Sequence, residues 1–191
     1  AQIIPVATAA STGFTSINLN AGEIENRGIE ISLNAKPIVS KDFSWNLGLN
    51  VSHNKNKVIS IYGDLTELTV GSQFGYSNST VTMKYIPGES VGDIFGTPYS
   101  RYYDASHTPD PIHVDKSRPM LIDANGYPVL TPSSNQKILG NSYPKWVAGI
   151  NNSFTYKSFN LSFLFDGHFD VKKYDQLNNF MAAFGIAKYT E

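Results

Sequence analysis

The chain has 191 residues, a formal net charge of −1 at pH 7 and no cysteine. The near-neutral charge excludes the broad basic surface that binds nucleic-acid backbones, so we expect no nucleic-acid partner. The lack of cysteine excludes a disulfide framework, a thiolate metal site and a cysteine nucleophile.

Two strictly alternating runs form the clearest pattern near the start of the chain. In residues 27–36 and 43–52, apolar and polar residues alternate without interruption. Since successive side chains of a strand point to opposite faces, each run predicts a strand with one apolar and one polar face. Residues 37–42 between them contain proline, serine and aspartate, which are typical of turns. The sequence therefore predicts a β-hairpin over residues 27–52.

Two settings accommodate such a hairpin. In a soluble β-sandwich the apolar face packs against a second sheet, whereas in a transmembrane barrel it faces lipid and the polar face lines the interior. Strand length favours the barrel, because a tilted strand needs about 9–11 residues to cross a bilayer. Phe43 and Trp45 lie beside the turn, where an interfacial aromatic girdle would place them.

The middle of the chain is dominated by predicted loops. Residues 63–79 are rich in glycine, serine and threonine, which predicts a loop that could include a hairpin. Residues 80–86 alternate briefly before the Pro87-Gly88 turn. Residues 101–143 form a long, polar, proline-rich stretch, which in a barrel belongs on the extracellular side. The pairing of residues 63–100 does not follow from the sequence.

A second hairpin and a short helix are predicted towards the end of the chain. Residues 146–166 repeat the alternating design, with a tight turn at Lys157-Ser158 and aromatic residues beside it. In residues 172–187 the period changes: apolar residues recur at Leu177, Phe180, Met181 and Phe184. This spacing predicts an amphipathic helix, which we expect in a loop outside the barrel.

Several blocks of the sequence resemble the SusC/RagA family of TonB-dependent outer-membrane transporters, and they occur in the order found in that family. The first is Asn20–Glu30 (NAGEIENRGIE), which resembles the family's N-x-G-x-I-x-N-x-G-I-E run. The other blocks are residues 43–45, 54–58, 138–141, 144–146 and 154–161.

This resemblance implies an all-β fold: a segment of a large antiparallel transmembrane β-barrel, incomplete by itself, with long extracellular loops and one short loop helix. It also implies a location in the bacterial outer membrane and the import of oligosaccharides or peptides. The implied partners are the lipid bilayer, a SusD-like surface lipoprotein that covers the barrel, and TonB, which would act on a plug preceding this segment. A soluble, secreted, glycan-binding β-sandwich is the alternative.

The barrel interpretation assigns a role to each face of the two hairpins. The residues expected to face lipid are Ile29, Ile31, Leu33, Trp45, Leu47, Leu49, Ile150, Phe154, Leu161 and Phe163. The residues expected to face the lumen are Glu30, Ser32, Asn34, Asn46, Asn50, Asn151, Asn160 and Ser162.

Catalytic and metal-binding motifs have little support in the sequence. The four histidines are scattered without metal-ligand spacing, and no nucleophile elbow or phosphate-binding glycine loop is present, so we expect neither an enzyme nor a bound cofactor. Asp123 and Asn125 resemble the start of a calcium loop, but Ser134 occupies the position of the bidentate acid. Because Asn-Gly is also the standard type I′ hairpin turn, a turn is favoured over calcium.

Four tyrosines in the predicted loops are candidates for contact with a substrate or a partner protein. They could stack on sugars, pack against a partner or bury one another beneath the long loop. Mutual burial is the favoured interpretation, since tyrosine is amphipathic and common at surfaces. The residues concerned are Tyr99, Tyr102, Tyr103 and Tyr127.

Overall fold

The computed structural model describes residues 3–7, 9–20, 22–63, 65–74 and 81–190. Its regular elements, in chain order, are the strands β1 (Ile3–Ala7), β2 (Ser16–Asn20), β3 (Gly22–Val39), β4 (Phe43–Ile61), β5 (Leu68–Phe74), β6 (Val81–Tyr85), β7 (Asp93–Gly96), β8 (Lys137–Asn141), β9 (Trp146–Tyr156) and β10 (Phe159–Phe169), followed by the helix α1 (Gln176–Ala183). They divide into two compact units: a sheet unit of residues 25–56 and 143–171, and a loop unit of residues 1–24, 57–142 and 172–191.

The sheet unit is a four-stranded sheet in the order β10-β9-β4-β3. Strand β9 pairs antiparallel with β4 on one side and with β10 on the other, so that Leu49 lies opposite Ile150 and Ile150 opposite Phe165. The two short turns lie at the same end of this sheet, because the backbone N–H of Lys157 donates to the carbonyl oxygen of Asp42 at 2.8 Å. The chain from β4 to β9 therefore leaves and re-enters the sheet at its other end.

The loop unit contains a second four-stranded sheet, in the order β5-β6-β7-β8, and the two-stranded sheet β1-β2. The pairings β5-β6, β6-β7 and β7-β8 are antiparallel. The buried apolar side chains of the described residues belong to this unit: Val58, Ile61, Val81, Ile94, Phe95 and Ala187. The apolar core thus forms in the loop unit, through contacts that are distant in sequence.

The strands extend beyond the predicted hairpins and also occur within predicted loops. The first hairpin spans Gly22–Val39 and Phe43–Ile61 rather than 27–52, and the second continues to Phe169. The predicted loops 63–79 and 101–143 contain β5 and β8. These strands are short and lack apolar alternation, so their neighbours in the sheet, not their own pattern, define them. Some residues of the predicted elements lie outside the described ranges, namely residues 64 and 75–80. The same is true of Ala21 in the first family-like block.

The helix is shorter than the predicted 172–187. It begins after Asp175, whose side chain accepts a hydrogen bond from the backbone N–H of Asn178, and it ends before Gly185, which adopts a φ of +66°. The apolar spacing predicted a longer helix because it includes Phe184, which lies beyond the last helical turn. Within the described ranges, no helix has the length and apolar character needed to cross a membrane.

Candidate functional site: a two-faced sheet and an ordered loop unit

One face of the sheet unit is predominantly polar on all four strands, with Leu164 of β10 as an apolar exception. The hydroxyl of Ser32 donates to Oδ1 of Asn50 at 2.7 Å, which fixes β3 and β4 with their polar sides together. In the register, Asn46 lies opposite Ser153 and Ser153 opposite Ser162. The structure therefore brings together on one face all the residues predicted to face the lumen: Glu30, Ser32, Asn34, Asn46, Asn50, Asn151, Asn160 and Ser162.

The same polar face carries a side-chain contact between histidine and aspartate that the sequence did not single out. Nε2 of His168 lies 2.8 Å from Oδ2 of Asp166, two residues earlier on β10. Residues two apart on a strand have their side chains on the same face, so the Asp-x-His spacing could have predicted this contact from the sequence. Gly149 lies opposite Asp166, which leaves space above the strand on this side.

The opposite face is apolar and largely exposed. The aromatic rings of Trp45 and Phe154 stack with centroids 5.7 Å apart, and the ring of Phe163 lies 6.0 Å from that of Phe154. Ile29 is 67% exposed and Ile150 is 41% exposed. All ten residues predicted to face lipid share this face: Ile29, Ile31, Leu33, Trp45, Leu47, Leu49, Ile150, Phe154, Leu161 and Phe163.

Asn152 is a polar residue on the apolar face. It is 8% exposed, and its Oδ1 accepts a hydrogen bond from the indole Nε1 of Trp45 at 3.1 Å. The pairing satisfies a polar group among apolar neighbours, where an unpaired amide would be costly.

Aspartate-centred turns order the long polar segment of the loop unit. The carboxylates of Asp104, Asp110 and Asp115 each accept a hydrogen bond from the backbone N–H group two residues later. For Asp110, bonds from the backbone N–H groups of His113 and Ile112 lower the pKa of the carboxyl below its ordinary value of 3.8. The same repeated Asx turn could have been expected from the sequence, because aspartate favours this local bond.

Asp123 and Asn125 also lie in such a turn. Oδ1 of Asp123 accepts from the backbone N–H groups of Asn125 and Tyr127, at 2.8 and 2.9 Å. Gly126 has a φ of +87° while Asn125 does not adopt a positive φ, so the turn is not type I′, which requires positive φ at both central residues. The described residues include no group of three or more potential metal ligands among histidine, aspartate and glutamate. Calcium at this turn stays a prediction.

The four predicted loop tyrosines are not buried together. Tyr99, Tyr102 and Tyr127 are exposed, with Tyr103 half-buried. Isolated antiparallel bridges join Tyr99 to Leu130 and Arg101 to Met120, which holds the exposed rings on an ordered support. Mutual burial, the favoured interpretation from the sequence, is wrong for Tyr99, Tyr102 and Tyr127, because their side chains are exposed to solvent.

Comparison with known proteins places this arrangement in a larger architecture. No family model matches the chain. The chain is 30% identical over 159 residues to TonB-dependent receptor P3 of Formosa agariphila, covering 81% of this chain and 16% of that receptor. It is 30% identical over 163 residues to TonB-dependent receptor SusC of Bacteroides thetaiotaomicron, covering 84% of this chain and 15% of that receptor.

A solved structure shares the fold. The structure of the RagAB peptide transporter superimposes with a TM-score of 0.59 at 17% identity, covering 86% of this chain and 17% of that chain. The chain thus spans less than a fifth of the length of the receptors it matches. The sheet does not close on itself, as expected for one portion of a barrel wall. The chain belongs to the SusC/RagA family of TonB-dependent receptors, as a segment of their β-barrel.

Proposed function

We propose that this segment forms part of the wall and the outer loops of a transporter that imports oligosaccharides or peptides across the bacterial outer membrane. The observation that carries the proposal is the two-faced sheet, whose exposed apolar face suits lipid while its polar face suits a transport lumen. The paired strands β9 and β10 each have 11 residues, which is enough to cross a bilayer when tilted.

The connections between strands give this segment an orientation in the membrane. Short turns of such barrels face the periplasm and long loops face the exterior. The turns after β3 and β9 therefore lie on the periplasmic side, and the long connection between β4 and β9 lies on the extracellular side. Phe43, Trp45, Tyr156 and Phe159 flank those turns, as an interfacial aromatic girdle would.

The exposed loop tyrosines are the proposed contacts for a partner or substrate. A SusD-like lipoprotein would cover the barrel through the loop unit, and Tyr99, Tyr102 and Tyr127 offer it rigid amphipathic side chains. TonB would supply energy through a plug domain outside this segment. Transport rather than catalysis is supported, since the relatives are named as receptors and a transporter.

A soluble glycan-binding β-sandwich is the less favoured alternative. A sandwich requires the apolar face of each sheet to pack against another sheet. Ile29, Leu161 and Phe165 are instead exposed in the described structure, and the fold similarity is to a transporter barrel.

Fractionation and uptake together test this proposal. The receptor should be recovered in the outer-membrane fraction and require detergent for extraction. Cells expressing it should accumulate oligosaccharides or peptides, and inactivation of TonB should abolish accumulation. Recovery as a soluble protein without detergent, or TonB-independent accumulation, would contradict the proposal.

A further inference from the structure

A cavity of about 150 Å³ lies within the loop unit. Tyr99, Tyr103 and Pro132 contribute apolar walls, and Arg101, Asp110 and Lys137 contribute polar groups. A few convergent polar groups in a largely apolar depression are typical of a binding site for a small ligand. The volume suits one chemical group of a ligand rather than a whole oligomer.

Lys137 is a buried cation at this cavity. It is 9% exposed, and its Nζ donates to the backbone carbonyl oxygen of Asp110 at 2.6 Å. Within the described part of the chain, no carboxylate forms a salt bridge with this ammonium. Burial lowers the pKa of Lys137, because desolvation disfavours the charged form, and the nearby carboxylate of Asp110 offsets only part of this shift. An ammonium has three donors, so an anion in the cavity would both neutralise it and use its remaining N–H groups.

Arg101 is the second cationic side chain that lines the cavity. Its Nη1 donates to the carbonyl oxygen of Arg118 at 3.0 Å, but its Nε is buried and has no hydrogen-bond partner among the described residues. Buried donors usually have a hydrogen-bond partner, so the unpaired Nε of Arg101 is an exception. A guanidinium offers its donors in a planar fork that matches a carboxylate.

The acidic residue at the cavity does not meet this need. The carboxylate of Asp110 already accepts bonds from the backbone N–H groups of Ile112 and His113, and it contacts the ring of His113. These bonds hold it within its own turn. Lys137 and Arg101 lie within electrostatic range of the carboxylates of Asp110 and Asp115, respectively. Among the described residues neither cation forms an ion pair with a carboxylate, so both remain able to bind an external anionic group.

We propose that this cavity binds a carboxylate group of the transported ligand, one oxygen facing Arg101 and the other facing Lys137. The carboxylate can belong to an acidic sugar or to a peptide, and the tyrosines would contact the adjoining sugar ring or peptide chain. The inference rests on the proposed function, because it assigns a chemical class of substrate to the outer loops.

Binding measured by calorimetry on the detergent-purified receptor tests the assignment. The probes are trigalacturonate and its methyl ester, and triglutamate and its triglutamine counterpart. At least one acidic probe should bind about tenfold or more tightly than its neutral counterpart, the range expected for a hydrogen bond to a charged group. Lys137→Met should remove this preference, whereas Lys116→Met, an exposed lysine of the same segment, should preserve it.

Acylation of lysines, followed by mass spectrometry, gives a second measurement on the unmodified sequence. The acidic probe should protect Lys137 and leave Lys116 reactive. The acidic probe that binds more tightly than its neutral counterpart and protects Lys137 identifies the source of the carboxylate. The assignment is overturned if neither acidic probe binds more tightly than its neutral counterpart, if the preference survives Lys137→Met, or if Lys137 is not protected.

Transport measurements separate this inference from the proposed function. Carboxylate-dependent binding at Lys137 in a receptor that imports neither class of ligand would contradict the proposed function alone. TonB-dependent import with no preference for a carboxylate would contradict the cavity assignment alone.

Discussion

The indole Nε1 of Trp45 donates a hydrogen bond to Oδ1 of Asn152, 3.1 Å away, on the apolar face of the four-stranded sheet. In the register Asn152 lies between Leu47 of β4 and Phe163 of β10. A polar side chain is stable among such neighbours only when a partner satisfies it, and in this sheet the partner is a side chain of the same face.

The first prediction follows from this bond. Trp45→Phe retains an aromatic ring but leaves the buried amide of Asn152 unpaired, which should destabilise the barrel by about 1–3 kcal/mol. Adding Asn152→Leu should recover most of the loss, because the unpaired group is then removed. The temperature at which the folded receptor converts to its unfolded electrophoretic form measures the effect. Equal losses for the single and double variants would contradict this account.

The faces of the sheet were predictable because they depend on a local period. Alternation alone assigned Ile29, Leu49 and Ile150 to one side and Asn50 to the other, and the register agrees. The family resemblance and the barrel fold class, which rested on several blocks in order, are confirmed by the relatives and by the shared fold.

The remaining features depend on contacts between distant residues. No local pattern predicts that β4 pairs with β9, that Val58 and Phe95 belong to a buried core, or that Lys137 and Arg101 line one cavity. The Trp45–Asn152 bond has the same origin, since alternation marks Asn152 as an exception without naming its partner.

The second prediction concerns the roles of the two faces. Leu49→Arg should impair membrane assembly, because arginine on the lipid-facing side near the bilayer midplane costs about 2–4 kcal/mol. Asn50→Arg, one residue later on the polar face, should assemble normally, since its side chain would point into the lumen. The amount of folded receptor in outer-membrane fractions measures assembly. Equal assembly of the two variants would show that the lipid-facing assignment is wrong.

The third prediction explains a glycine of the family-like block Asn20–Glu30. A Cβ added at Gly28 would lie 2.7 Å from the backbone carbonyl oxygen of His53, on the neighbouring strand. Gly28→Ala should therefore displace β3 from β4 and destabilise the barrel by about 1–3 kcal/mol. Gly149→Ala is the matched control, because its nearest neighbour would be 3.9 Å away. Thermal unfolding that is the same for both variants would contradict the steric explanation.

The last prediction concerns acid sensitivity of the loop unit. The backbone N–H groups of His113 and Ile112 stabilise the ionised carboxylate of Asp110 and lower its pKa below the ordinary value of 3.8. The folded state therefore binds the proton less readily than the unfolded state. The resulting stabilisation is present above pH 3.8 and is lost as the pH falls through the lower pKa of the folded state.

Hydrogen exchange of peptides covering residues 110–114 measures this effect, with protection corrected for the intrinsic pH dependence of exchange. Protection should decrease as the pH falls below 3.8, the ordinary pKa of the carboxyl group. Asp110→Asn keeps an oxygen that can accept the two backbone bonds but cannot bind the proton, so its protection should vary less with pH. The same pH dependence in both proteins would show that Asp110 is not the titrating group, because the variant removes that carboxyl while preserving an acceptor.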